Sequence, residues 1–391
     1  MKKNIPLVLT GQQIGIGWSP ALSVIKALTA LHEAKQIGGQ AIFWMADEDH
    51  DALEVSRTVL RKEGRILKAQ FEFNLKAQTS TGWFPFNELH QKQAVELWGS
   101  QVPIPREPTL RGHFEALGEP LKALGLSFFS PTRDIDRFKL NTLLLEWREL
   151  QLEKKLSSNY ENLLRQGIQS SVDPSKQSTW FSLNPKTGER LRLDPSAPLG
   201  ADLWLSPGAA LRPLFQSYIH DVHTVILGPS EFSYWQLIEP LWEVLGIKKP
   251  KIKIRPSLWT IPAHCSLEIE HIPLLRQGNW QALLPKEISL PSRSLSFTPS
   301  SNWDPDTRLR INQELERTKE RLEKIDRKIQ RTVVHQILGE DPEILHQYLF
   351  PLEKDQERVL SGAPWLLDTH ALGRVAESLS HGSPLVIMKE V

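Results

Sequence analysis

Apolar residues run almost unbroken through Ile5–Leu9 (IPLVL) and Gln40–Ala46 (QAIFWMA), a length that suits strands covered on both faces. Between them Leu22, Ile25, Leu28 and Leu31 recur at three-residue spacing, which predicts a helix over Pro20–Gln36 with these side chains near one face. Pro20 suits the first helical turn, Ser19 reads as the N-cap, and Ile37–Gly39 as the stop. Strand, helix and strand in this order make a βαβ unit, whose two strands should be parallel neighbours.

Later apolar runs read as further strands of the same sheet. Leu126–Ser130 is followed by PTRD, and Thr224–Gly228 by a helix reaching Leu245. PKIKIRPS, with its alternating basic residues, reads as an edge strand. The pattern is interrupted twice. Leu140–Leu164 is amphipathic, and Gln169–Pro198 is polar with turn signals at Asn184–Pro185 and Thr187–Gly188, so an insertion is expected. Ala263–Asn302 is Pro/Ser-rich with weak strands and reads as a connector. Beyond it Asp304 should cap a helix that has Pro305 in its first turn. There Ile311, Leu315, Thr318, Leu322, Ile325 and Ile329 follow 3–4 spacing among dense charges, with favourable pairs at Glu320/Lys324 and Glu323/Arg327. This predicts a coiled-coil-like helix whose seam must bury against a return helix or a second chain. A shorter helical region, roughly Asp341–Leu379, should close the chain. The domain reading is a 1–262 core with an inserted segment at about 140–200, a 263–302 connector and a 303–391 helical arm with its C-terminal region.

Composition narrows the picture modestly. With 391 residues the chain can bury a sizeable core, and 47 basic against 46 acidic residues argue against nucleic-acid binding through bulk charge. No apolar run of membrane-spanning length occurs, and the short N-terminal run is too brief for a signal core, so a cytoplasmic protein without membrane contact is expected. Cys265 is the single cysteine, which rules out an internal disulfide and a CxxC metal site.

Candidate chemistry gathers where strands end, the edge at which open α/β sheets bind ligands. TGQQIGIG leaves the first strand. Gly11, Gly15 and Gly17 let backbone approach a ligand, and the following helix end suits a phosphate or carboxylate. Gln12 and Gln13 bring donors and acceptors without charge, and Lys26 lies further along the helix. The loop matches neither common nucleotide fingerprint, and a tight packing turn explains it equally well. DEDHD (Asp47–Asp51) leaves the second strand. A carboxylate there could bind ribose hydroxyls, His50 with Asp49 or Asp51 could form an oriented base, or the cluster could hold a divalent metal. A solvated charge run is the plain alternative. GPSEFSYW places Ser230 and Glu231 at a third strand end, where a helix cap alone would account for them. Arg212, Arg255 and the Arg133–Asp134 pair are further charged candidates.

Read together, VLTGQQIGIGWSPALSVIKALTAL, AIFWMADEDHDALEV and LRPLFQSYIHDVHTVILGPSEFSYWQLIEPLWEVLGIKKPKIKIRPSLWTI resemble the cysteine-adding family of bacillithiol biosynthesis, over most of residues 7–262. The resemblance implies a Rossmann-like core with insertions and a helical coiled-coil arm that forms a homodimer. It implies a ligase that joins the carboxyl of cysteine to the amine of glucosaminyl-malate or a similar amino-sugar conjugate. ATP is the expected cosubstrate, with Mg2+ able to accompany it, and no protein-held metal is expected. Carried across, Gly11, Gln12, Gln13, Gly15 and Lys26 match the first motif, Glu48, Asp49, His50 and Asp51 the second, and Arg212, Pro213, Gly228, Pro229, Glu231, Tyr234 and Trp235 the third. In the implied site Glu48, Asp49 and His50 are catalytic, with His50 the base for the attacking amine. The glutamines orient polar groups and Glu231 holds an ammonium or hydroxyl. The chain departs from the family in having Ser19–Pro20 and Gly228–Pro229–Ser230–Glu231 where Gly-Pro and Gly-Pro-Gly-Glu are common, and in a short arm. It also starts nearly on the first loop, where members carry a longer leading segment, so a compact, divergent member is expected. A metal-dependent hydrolase or phosphoesterase built on DEDHD, and a non-catalytic nucleotide-binding dimer, are the competing readings.

Overall fold

The computed structural model describes residues 5–390 apart from 63, 77, 195 and 286–296. Its centre is a five-stranded parallel sheet: β1 (Leu7–Gln12), β2 (Gln40–Met45), β3 (Leu126–Phe129), β4 (Val222–Leu227) and β5 (Lys251–Ile254). The spatial order is β5-β4-β1-β2-β3, with β1 parallel to both β2 and β4. Every strand anticipated from the apolar runs is present, and the alternating lysines of β5 do mark an edge. The order reverses direction between β1 and β4, so the crevice beyond their carboxyl ends is the topological switch point where such sheets hold ligands. Val8, Leu9, Phe43, Trp44, Val225 and Ile226 are buried, as a sheet covered on both faces requires. Burial of a side chain such as Phe43 contributes about 2 kcal/mol.

The helix after β1 spans Leu22–Ile37 and stops at Gly38 in the left-handed conformation, as its sequence predicts. Its start differs. Ser19–Pro20 is a cis peptide, Ala21 occupies the cap position, and Ser19 Oγ instead bonds Thr58 Oγ1 at 2.8 Å. Nor is it buried along one stripe: Ser23 to Ala30 are all buried. The reason lies far along the chain, because the helix Thr369–Ser380 packs over it.

The stretch from Ala52 to Ala123, which carries no clear period, supplies an antiparallel hairpin (Arg57–Lys62 with Arg65–Gln70) and helices at Glu88–Trp98, Leu110–Leu117 and Glu119–Ala123. The amphipathic insertion becomes two helices, Arg137–Glu149 and Leu152–Arg165, burying Leu140, Leu144, Trp147 and Leu156. The polar stretch after them forms a three-stranded antiparallel sheet, with Trp180–Leu183 between Arg190–Arg192 and Trp204–Pro207.

The chain divides into two compact units, Met1–Leu258 with Glu357–Val386, and Trp259–Gln356 with Ile387–Val391. The helices Ala363–Leu367 and Thr369–Ser380 belong to the first unit, whereas Pro305–Leu338 and Pro342–Leu349 belong to the second. In the second unit, the supposed connector holds a helix at His271–Arg276 and a 3-10 turn at Trp280–Leu283 in place of strands, part of it lying outside the described residues. The long helix spans Pro305–Leu338, with Asp304 Oδ1 accepting the Thr307 N–H at 2.9 Å as predicted. Its C-terminal end is buried at Val334 and Leu338, with Arg331 paired to Asp341. Along the predicted seam Ile311, Leu315 and Leu322 are half-buried and Ile325 and Ile329 exposed. The next helix, Pro342–Leu349, is too short to cover them as a return arm. Among the described residues no helix is long and apolar enough to cross a membrane.

Candidate active site

The switch-point crevice is a cleft of about 170 Å³. Gly11 and Gln12 from β1, Gln13 just beyond it, Asp49 and Glu54 from the segment after β2, Arg212, and Glu231, Tyr234 and Trp235 from beyond β4 line it. The three motifs thus converge, although not every residue plays the part its position suggested.

The DEDHD loop separates its acids. Asp47 is fully buried and ties β2 to the segment after β3. It accepts from Thr132 Oγ1 at 2.7 Å and Arg111 Nη1 at 3.2 Å, and also from Ser130 Oγ. Burial pushes its carboxyl up, although the two hydroxyls and Arg111 oppose the shift. Glu48, expected to be catalytic, does not line the cleft. It is buried against Arg137 Nη2 at 2.7 Å, and that guanidinium lies 4.6 Å from the Trp204 ring centre. Asp51, expected to bind substrate, caps the helix Ala52–Ser56 by accepting the Glu54 N–H at 3.1 Å. A continuation of β2 in extended form would set Asp47, Asp49 and Asp51 on one side; the backbone leaves that conformation after β2, and of the three only Asp49 enters the cleft.

Asp49 is the hub. Arg190 Nη1 and Arg212 Nη2 each lie 3.1 Å from one of its oxygens, and Gln13 Nε2 donates to it at 3.2 Å. Burial alone would raise the carboxyl, but Arg212 and Arg190 outweigh it and hold it down to about 2. Two guanidinium groups against one carboxylate leave a positive charge at the cleft wall. Arg190 comes from the insertion and escaped the sequence reading. The alternation RLRL after the Thr187–Gly188 turn was the available sign of its strand. Its guanidinium is buried 3.8 Å from the Phe181 ring centre and also donates to Ser206 Oγ and the Pro207 carbonyl.

His50 stands beside this cluster and does not line the cleft. Arg190 Nη1 is 3.3 Å from its Nδ1. Arginine only donates, so Nδ1 accepts, and the neutral ring carries its proton on Nε2. Burial, then Arg190, lowers the His50 pKa. The ring's lone pair is therefore committed, and the expected role of His50 as base is not supported by its geometry. Glu54, which the sequence reading passed over within DEDHDALE, lines the cleft as an exposed residue, and the partial desolvation of its carboxyl, then Asp51 and Asp49, push its pKa up.

Lys26 is buried and reaches the cleft only through others. Its Nζ donates to the Gly11 carbonyl and to Gln12 Oε1, both at 2.9 Å, and pairs with Glu231 Oε2 at 2.6 Å. Burial lowers its pKa while Glu231 opposes this. Glu231 also accepts the Gly228 N–H at 2.7 Å, closing the start of the helix Pro229–Leu237. Gly11 is needed because a Cβ there would lie 2.7 Å from the Trp44 carbonyl oxygen, and Gly15 because one would lie 1.9 Å from that of Ser19. Gly15 thus serves the turn and not a ligand. Among the described residues no group of three or more His, Cys, Asp or Glu side chains is arranged to hold a metal ion.

Residues 1–117 match the family model described as "Bacillithiol biosynthesis BshC, N-terminal Rossmann-like domain". Proteins named "Putative cysteine ligase BshC" align with most of the chain. The one from Carboxydothermus hydrogenoformans is 23% identical, over 72% of this chain and 60% of its own length. That of Thermus thermophilus is 26% identical over 64% and 56%, and that of Koribacter versatilis 24% identical over 96% and 81%. The chain thus spans about 60% of the length of several of these relatives. Residues 1–117 thus resemble the N-terminal Rossmann-like domain of BshC, and similarity to proteins named putative cysteine ligase BshC runs along most of the chain.

Proposed function

We propose that the cleft is the active site of an amide-forming ligase of bacillithiol biosynthesis, joining the carboxyl of cysteine to the amine of glucosaminyl-malate with ATP as activating cosubstrate. The observation that carries this reading is Asp49 clamped between Arg190 and Arg212 beside the neutral pair Gln12 and Gln13. Such a wall suits a substrate that is polar and anionic at one end and needs hydrogen bonds at the other. ATP, with Mg2+, would convert the carboxyl into an acyl-phosphate with release of ADP, or into an adenylate with release of pyrophosphate. The amine then attacks the acyl carbon, the C–N bond forms, and phosphate or AMP departs. The proton released by the amine passes to Glu54, whose raised pKa makes it a better base than an ordinary carboxylate. Arg212 binds an anionic group of the acceptor, and Glu231, held by Lys26, faces the acceptor's amine or a sugar hydroxyl.

The test is thiol profiling of a strain lacking the protein. Glucosaminyl-malate should accumulate and bacillithiol disappear, and Asp49→Ala should fail to restore it. An unchanged profile defeats the proposal.

A further inference from the structure

The amide orientations of Gln12 and Gln13 are fixed by their neighbours. The atom of Gln12 facing Lys26 Nζ at 2.9 Å must be the amide oxygen, because an ammonium can only donate. Its NH2 group, with two donors, is left for the cleft that Gln12 lines. For Gln13 the logic inverts. The atom 3.2 Å from Asp49 Oδ2 must be the amide nitrogen, because an ionised carboxylate can only accept. That leaves Gln13 Oε1, which is buried and has no hydrogen-bond partner. A buried acceptor without a donor is costly, and its natural partner is a ligand N–H or O–H. The two side chains are also anchored on opposite sides of β1: Gln12 through Lys26 and Glu231 toward β4, Gln13 through Asp49 toward β2.

We infer that Gln12 and Gln13 form a paired reader of opposite polarity for an α-amino acid, Gln12 donating to its carboxylate and Gln13 Oε1 accepting from its ammonium group. This rests on the reading of the cleft as a substrate site and specifies which substrate part lies over β1. The amino acid bridges the switch point with its amine toward Asp49 and its carboxyl toward the Lys26–Glu231 side. The reader itself carries no charge.

Calorimetric titration of the full chain with L-cysteine, 3-mercaptopropionate (no amine) and cysteamine (no carboxylate) tests it. Gln12→Leu and Gln13→Leu should be compared, with thermal melts to establish that each is folded and Met replacements as second variants. The wild-type protein should bind cysteine about tenfold or more tighter than either fragment, the scale of one hydrogen bond to a charged group. Gln13→Leu should erase the advantage over 3-mercaptopropionate and keep that over cysteamine, and Gln12→Leu should do the reverse. Retention of both advantages in the folded variants, or an exchange of the two dependences, overturns the inference while leaving the ligase reading intact. If serine or another α-amino acid replaces cysteine with the same dependences, the inference stands and the cysteine-ligase reading falls. Binding of no α-amino acid overturns the inference.

Discussion

At the scale of single residues, the site is a set of charges that hold one another in place. Asp49→Ala would leave Arg190 and Arg212 facing each other without their acid, which should cost on the order of 3 kcal/mol in denaturant unfolding and abolish ligation. Glu54→Gln should lower kcat by about 10²-fold or more with little change in cysteine binding, as loss of a general base does. The acid limb of the rate profile should lie above that of an ordinary carboxylate, because Glu54 must lose its proton to act and partial desolvation with Asp51 and Asp49 raises its pKa. Asp51→Asn keeps a good helix cap but removes one of those charges, so this limb should move to lower pH. A second titration belongs to His113, buried and stacked 4.1 Å from Phe86, whose pKa burial lowers from 6.5 to about 3. The unfolded chain binds this proton first as pH falls. Stability should therefore be complete above about pH 6.5 and decline toward pH 3, by on the order of 4 kcal/mol from this group. His113→Phe should flatten that decline in unfolding curves measured across the range.

At the scale of elements, what could be read from the sequence divides along physical lines. Strands buried on both faces announce themselves by continuous apolar runs, so all five strands of the central sheet, and with them the ligand edge, were legible. The insertion was recognised as an interruption only, since its strands are just three or four residues long. With it Arg190 was missed, because nothing local ties residue 190 to residue 49. The acidic loop failed differently. Alternation holds only while the chain stays extended, and here the loop turns, sending Glu48 to Arg137 and Asp51 to a helix cap. The glycine loop is shaped more by chain meeting chain than by chain meeting ligand. Gly15→Ala, whose Cβ would meet the Ser19 carbonyl, should lower stability by about 1–3 kcal/mol in chemical denaturation, since the obstacle is backbone.

At the scale of the whole molecule, the helix Pro305–Leu338 carries an unfinished apolar stripe through Leu322, Ile325 and Ile329. Its exposed i,i+3 ion pairs, Glu314–Arg317 and Glu316–Lys319, contribute little to its stability. The stripe predicts self-association. Sedimentation velocity should report a dimer that Leu322→Asp with Ile325→Asp dissolves, while the melting temperature of the first unit stays unchanged. The first unit, for its part, is stitched from both ends of the chain. Ser361 Oγ donates to the Gly17 carbonyl at 2.6 Å, Ser361 N–H to the Val59 carbonyl at 2.7 Å, and Glu357 forms a fully buried pair with Arg255 at 2.8 Å. On the ribosome these N-terminal residues are made first and their partners last. At roughly 5–20 residues per second, the loop that carries Gln12 and Gln13 waits many seconds for the segment that fastens it. The nascent Rossmann-like region is therefore an open intermediate throughout synthesis. Translation arrest or premature termination before residue 357 would release a chain that holds every motif and lacks the closure that keeps them together.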